Sequence, residues 1–211
     1  MSFVKPSFQI AATLFAFAAP ATALAYEKEL GLSISPAIAG MPAIADEVSQ
    51  RTLGWSAGGG LGFEYNPTKI LAVVIEGGYL QALSDSLIGT ATIQNRQGQY
   101  YFQQSTAFGL GGLRLTTPAW WMPIQLGISV EGGFAILWQS QRDLQDHGIS
   151  FGLTLPDAIR PEPMIAIAPQ LLARVYHQIR IDVAPTLFML FAGSPALGFG
   201  LKLSLTFLFY P

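Results

Sequence analysis

Gly198-Phe199-Gly200-Leu201-Lys202-Leu203-Ser204-Leu205-Thr206-Phe207-Leu208-Phe209 decides how this chain folds. Every odd-numbered residue in it is large and apolar, and every even-numbered one except Leu208 is Gly, Lys, Ser or Thr. Alternation with period two is the mark of an extended strand with two unlike faces, whereas a helix repeats every 3.6 residues. The point matters because the stretch overlaps an uncharged run, Val183 to Leu201, long enough for a hydropathy window to read as a transmembrane helix. Pro185, Gly193, Pro195, Gly198 and Gly200 interrupt that run, and Ala192-Gly193-Ser194-Pro195 at its centre has the composition of a turn. It therefore reads as two strands.

Working upstream, the same alternation recurs. Leu30, Leu32 and Ile34 oppose Gly31, Ser33 and Ser35; Trp55, Ala57, Gly59, Leu61, Phe63 and Tyr65 oppose Ser56, Gly58, Gly60, Gly62 and Glu64. Leu71, Val73, Ile75 and Tyr79 stand against Ala72, Val74, Glu76 and Gly78, and Ile124, Leu126, Ile128 and Val130 against Gln125, Gly127, Ser129 and Glu131. Two further strands set Ile165, Ile167, Leu171 and Val175 against Ala166, Ala168, Gln170, Leu172 and Arg174, and Ile179, Ile181, Val183, Leu187 and Met189 against Arg180, Asp182, Ala184, Thr186 and Phe188. Glu64, Glu76, Glu131, Arg174, Arg180, Asp182 and Lys202 all fall on the small or polar face. A charge facing the bilayer midplane costs about 2 to 4 kcal/mol, so the apolar face is expected to meet lipid and the charged face to line a lumen. The expected fold is all-β: an eight-stranded antiparallel up-and-down transmembrane β-barrel. A fourth strand near Tyr101 to Leu115 alternates until Gly111-Gly112, where a bulge would change the facing of Arg114, and that facing stays open. Pro169 and Pro185 lie almost opposite one another across the tight turn at His177-Gln178, so their missing donors are expected to coincide at one break or bulge.

Composition agrees with this reading. Of 211 residues 51% are hydrophobic and only 11% charged, about half the charged fraction of an ordinary soluble domain. A net charge of -2 offers no basic patch for nucleic acid, and the absence of cysteine removes disulfides, thiolate metal sites and thiol catalysis. Residues 1–25 have the three parts of a secretory signal: Lys5, an apolar stretch from Phe8 to Ala19, and a small-residue exit at Ala23-Leu24-Ala25. Cleavage is expected after Ala25, with residues 26–211 as the barrel domain, exported through the periplasm to the outer membrane of a Gram-negative-type bacterium.

Connections alternate in length. Asn66 to Lys69, Thr116 to Pro123 and His177-Gln178 are short, and residues 37–51, 83–100 and 139–163 are long. The short ones are expected in the periplasm and the long ones outside, where they are the candidates for contact with an extracellular ligand. The second long one, centred on Gly98, reads as a hairpin that rises beyond the membrane, with strand addition at its edge as a possible use. Trp55, Tyr79, Trp138 and Phe191 are expected in an outer aromatic girdle, and Tyr65, Trp120, Trp121 and Phe209 in an inner one. Inside, Gly31, Ser33, Gly58, Gly60, Gly62, Gly198 and Gly200 form a small-residue wall, expected to face Leu172, Phe188 and Leu190 across the interior.

The segment Gly58-Gly59-Gly60-Leu61-Gly62-Phe63-Glu64-Tyr65-Asn66-Pro67 and the final strand ending in Phe209-Tyr210-Pro211 resemble the small eight-stranded outer-membrane barrels of the OmpA and OmpX kind. The resemblance spans the mature chain as a pattern without a specific signature. It implies that the barrel-assembly machinery reads the terminal aromatic strand; since Pro211 stands last, Phe209 or Tyr210 would take that role.

For the lumen charges, counting from the turns puts Glu76, Glu131 and Lys202 near mid-height and Glu64, Arg174, Arg180 and Asp182 near the inner mouth. An eight-stranded barrel is only wide enough to be filled by side chains, so the expectation is a structural network of ion pairs that plugs the lumen, with a narrow channel as the alternative. Enzymes of the lipid A-modifying or protease kind are the other alternative, and Asp143, Asp146, His147 and Ser150 are their only candidates. No metal-ligand spacing and no cofactor motif is found; a monomer among outer-membrane lipids is expected.

Overall fold

The computed structural model describes residues 28–42, 44, 53–83, 87–93, 96–118, 124–146, 149–155, 157–192 and 194–210. They form ten strands: β1 (Glu29–Pro42), β2 (Leu53–Asn66), β3 (Leu71–Ala82), β4 (Leu87–Ile93), β5 (Arg96–Thr116), β6 (Ile124–Asp146), β7 (Ile149–Leu155), β8 (Ala158–Tyr176), β9 (Ile179–Ala192) and β10 (Ser194–Phe209). Eight of them, β1, β2, β3, β5, β6, β8, β9 and β10, pair in ring order, all antiparallel, and the β5–β6 ladder closes the ring. Closure leaves the wall without an edge, which a backbone in lipid requires.

The facing read from the alternation is reproduced strand by strand. Leu61, Ile75, Leu126, Phe134, Leu187 and Leu203 are among the exposed apolar residues on the outer face, while Glu64, Glu131, Arg180 and Asp182 are each 5% exposed on the inner one. An apolar face this continuous is stable against acyl chains and unstable in water. At the end away from the chain termini, the edge of the Trp55 ring meets Phe199 (centroids 5.5 Å, 88°) and Tyr79 lies beside Trp138 at 6.2 Å. Trp120 and Trp121, expected in the opposite girdle, lie outside the described residues, as do the expected signal segment and its cleavage site.

Two expectations about the connections are corrected, and a third, the hairpin, is found with its turn displaced. Ala37 to Pro42, read as the start of a loop, continue β1 and pair with Leu53 to Gly58. Residues 83–100 contain the expected hairpin, β4 with the start of β5, which pair from Leu87↔Phe102 to Ile93↔Arg96; the chain reverses between Ile93 and Arg96, and Gly98 lies within the ladder opposite Ala91. Residues 139–163 contain the end of β6, all of β7 and the start of β8. Together β4, β5, β6 and β7 make a four-stranded sheet that rises from one side of the barrel, while β9 and β10 are separated by Gly193 alone on another.

The open questions at Arg114 and the two prolines also resolve. β5 keeps regular register with β3 and β6 through Gly111-Gly112, so no bulge intervenes and Arg114 stays on the lumen face with Leu110. The β8–β9 ladder stops at Ile167↔Leu187 and resumes at Leu171↔Val183 in unchanged register, which sets Pro169 opposite Pro185. Both lack an N–H, so one rung loses both of its donors: a break without a bulge.

Candidate functional site

Within the lumen the inward positions differ between the two ends. Near the chain termini they are charged. Glu64 on β2 accepts from Arg180 on β9 through both oxygens, at 2.7 and 2.6 Å, and its Oε2 also accepts from Arg114 Nη2 on β5 at 2.8 Å. Arg180 in turn donates to Asp182 at 2.6 Å from Nε and 2.9 Å from Nη2, and the Thr206 hydroxyl donates to the same carboxylate at 3.1 Å. Gly31, the register partner of Glu64, makes room for this: a Cβ there would collide with the Glu64 side chain. Two cations and two anions thus share one buried cluster, with fork-shaped guanidinium contacts that a lysine would not reproduce.

Arg174 is not part of that cluster. It forms a separate pair at the terminal rim, donating to both oxygens of Glu29 at 2.6 and 2.7 Å and to the Tyr210 hydroxyl at 3.2 Å. Burial, with the Glu29 carboxylate beside it, holds the Tyr210 phenol above the usual tyrosine range. Further along the lumen Lys202 on β10 pairs with Glu76 on β3. Glu131 on β6 lies over its register partner Gly112, with Ser129, Glu76 and Lys202 as its polar neighbours.

Toward the other end the lumen becomes apolar. Leu80, Leu110, Leu137, Met164, Phe188 and Leu190 form a buried cluster with Met41 at the end of β1 and with Ile44 of the β1–β2 connection. Two buried amides hold that connection in place. Gln104 donates to the Pro42 carbonyl at 3.0 Å and accepts from the Ile44 N–H at 3.3 Å, and Gln139 donates to the Ile44 carbonyl and to Gln104. Phe188 meets the expected small-residue wall at its nearest strand. It packs over Gly198, its register partner on the adjacent β10, where a Cβ would strike the ring.

The lumen reading missed Glu29, Gln104, Gln139 and Thr106. Glu29 and Gln139 have the parity of inward residues already recognised on β1 and β6, so extending those alternations would have found them, whereas Gln104 and Thr106 lie on β5, for which no inward face had been assigned. Of the proposed catalytic group, His147 lies outside the described residues, and Asp143, Asp146 and Ser150 are described only as strand positions on β6 and β7. Among the described residues no group of His, Cys, Asp and Glu is arranged to hold a metal.

This pattern of closed ring, apolar outside and charged interior can be set beside known structures. The attachment invasion locus protein Ail of Yersinia pestis superposes with a TM-score of 0.53, over 87% of this chain and 100% of that one, at 14% identity. The fold is that of the small outer-membrane barrels. Neisserial surface protein A matches at 0.56 over 86% of this chain and 99% of its own, with 7% identity, and OprG of Pseudomonas aeruginosa at 0.53 over 88% and 97%, with 10% identity. Identities this low show a shared architecture. No protein-family model and no curated protein matches the sequence.

Proposed function

We propose that the chain is an integral outer-membrane protein of a Gram-negative-type cell envelope, exported by residues 1–25, plugged by its own side chains and serving as a surface-recognition module. The termini and short turns then lie in the periplasm, and the β4–β7 sheet stands outside the cell. The observation that carries the recognition role is the pair of open strand edges on that sheet: among the described residues β4 pairs only with β5 and β7 only with β6. Neither Leu87–Ile93 nor Ile149–Leu155 contains a charged residue or a proline, the usual means of guarding an edge. An unguarded edge of β-prone residues is suited to accept an extended segment of a partner protein as an added strand, with main-chain hydrogen bonds supplying the affinity. We assign the chain no catalytic role, and the apolar cluster at the loop end favours a closed lumen over a narrow channel.

The test is to select extended decapeptides from a random library on the barrel held in lipid nanodiscs. Peptides that bind the native protein should lose most of their affinity for Thr90→Pro or Thr154→Pro, which deny donors to β4 and β7 respectively. Peptides that bind both proline variants as tightly as the native barrel would place recognition elsewhere.

A further inference from the structure

A cavity of about 30 Å³ lies in the lumen between the Glu64 cluster and the Lys202–Glu76 pair. Between the cavity and the terminal rim, the acids whose side chains are engaged in the lumen are Glu29, Glu64, Glu76, Glu131 and Asp182, and the bases are Arg114, Arg174, Arg180 and Lys202; Glu162 and Arg160 share the inward parity of β8 but lie nearer the loops, opposite Ala135 and Leu137. The ion pairs match Arg174 with Glu29, the two cations of the cluster with Glu64 and Asp182, and Lys202 with Glu76. Glu131 is left over. It is 5% exposed, makes no ion pair among the described residues, and the charged groups acting on it are Glu76 and Lys202, which already neutralise one another. A buried carboxylate without a counter-charge costs several kcal/mol, so either a proton shared with the neighbouring Glu76 carboxyl or a bound cation must accompany it.

A second observation, independent of charge, points into the same cavity. Gln170 on β8 is 8% exposed and spends its amide N–H on the Ser129 hydroxyl at 3.1 Å, yet its Oε1, a strong acceptor, receives no hydrogen bond. Gln170, Glu76 and Glu131 all line the cavity, together with the hydroxyls of Ser33 and Ser204. Carboxylate, amide carbonyl and hydroxyl oxygens are the donor set of a hard cation, and one uncompensated negative charge suits a monovalent one. A water needs roughly 10 to 15 Å³ of such space, so the cavity has room for a cation and one water. Arg114 Nε, which is buried without an acceptor and belongs to a residue on the same lining, would donate to that water.

We propose that the lumen binds one sodium-sized cation, liganded by the Glu131 carboxylate and Gln170 Oε1, as a fixed part of the plug. The inference concerns the interior and holds whatever the surface sheet recognises. It is tested by urea unfolding of the detergent-folded barrel at constant pH and ionic strength, with sodium replaced by N-methylglucamine, a cation too large to enter. Sodium at ten times its dissociation constant should lower the unfolding constant roughly tenfold, by simple linkage. Glu131→Gln should abolish that response and Gln170→Leu should weaken it, while Lys69→Gln, in an exposed turn, should leave it intact. Should Glu131→Gln fail to fold, sodium-23 relaxation decides: broadening by the native barrel but not by Gln170→Leu supports the site. Identical unfolding in the two salts, with a carboxylic-acid infrared band that Glu131→Gln removes, would overturn the proposal, since the positive charge would then be a proton.

Discussion

The two ends of the lumen solve one problem by different chemistry. Near the termini the space is filled by Glu64, Arg114, Arg180 and Asp182, and near the loops by Leu110, Leu137, Phe188 and Leu190 with Met41 from the end of β1 and Ile44 from the β1–β2 connection. An eight-stranded ring leaves room for side chains and little else, so either filling closes it. Their sensitivities differ. The charged end depends on a complete set of partners, because each ion has left water and regains its stabilisation only through the others. The apolar end depends on volume, because its members need no particular partner and lose stability in proportion to the space they leave.

Substitutions at the two ends should therefore fail in different ways. Arg180→Met leaves Glu64 and Asp182 sharing Arg114 alone, and should destabilise the barrel by about 3 to 5 kcal/mol in urea unfolding from detergent. Adding Asp182→Asn should recover much of that loss, because Glu64 and Arg114 then remain as a neutral pair. Leu190→Ala should cost about 2 to 5 kcal/mol, and no charge change elsewhere should rescue it. A rescue of Leu190→Ala by charge, or its absence for Arg180→Met, would erase the distinction between the two ends.

A smaller effect is expected where the apolar end borrows polar groups. Gln104→Leu removes the amide that binds both Pro42 and Ile44, leaving backbone groups of the β1–β2 connection without partners, at a cost of about 1 to 3 kcal/mol. An engineered Ile44→Cys, in a protein that has no other cysteine, should then react with a membrane-impermeant thiol reagent much faster in the Gln104→Leu background than alone. Equal reactivity would mean that the amides do not hold the connection in the mouth.

The smallest effects separate lumen glycines from lipid-facing ones. A Cβ at Gly109 or Gly132 on the outer face meets nothing within 4 Å, so alanine at either should stabilise by about 0.4 to 1 kcal/mol through the unfolded chain. At Gly112 a Cβ would come within 2.6 Å of the Glu131 backbone, and alanine should destabilise by about 1 to 3 kcal/mol. Unfolding midpoints that move the same way for all three would contradict this account of where the lumen is tightly filled.

How much of this was legible in sequence follows from what lipid demands. Where β10 crosses the apolar belt, every outward residue must be apolar, and Phe199 to Phe209 show it without ambiguity. Where β1 continues through Ala37-Ile38-Ala39-Gly40-Met41-Pro42, small and apolar residues occupy both faces, the contrast fades, and a strand reads as a loop. β4 and β7 stand clear of the eight-stranded ring, so no lipid imposes alternation on them; the amide-rich composition around Gly98 marked the first of their hairpins but not its turn, which falls between Ile93 and Arg96. In the site, the parity rule found which charges face inward but not their pairing. Arg174 and Arg180 lie close in sequence on one side of a tight turn and the other, yet bind different acids, because the register shift between Arg174 and Tyr176 and the position of Glu29 across β10 are properties of the closed ring. The amide tethers to Pro42 and Ile44 join residues 62 and 95 positions apart and left no local signal.

The central claim is that two unlike fillings together close the lumen from end to end. Ion current through single native barrels in a planar bilayer in concentrated potassium chloride tests it most directly. The account predicts a flat baseline for the native protein, with openings only when both fillings are breached, as in Arg180→Met combined with Leu190→Ala. A steady conductance through the native barrel would contradict it.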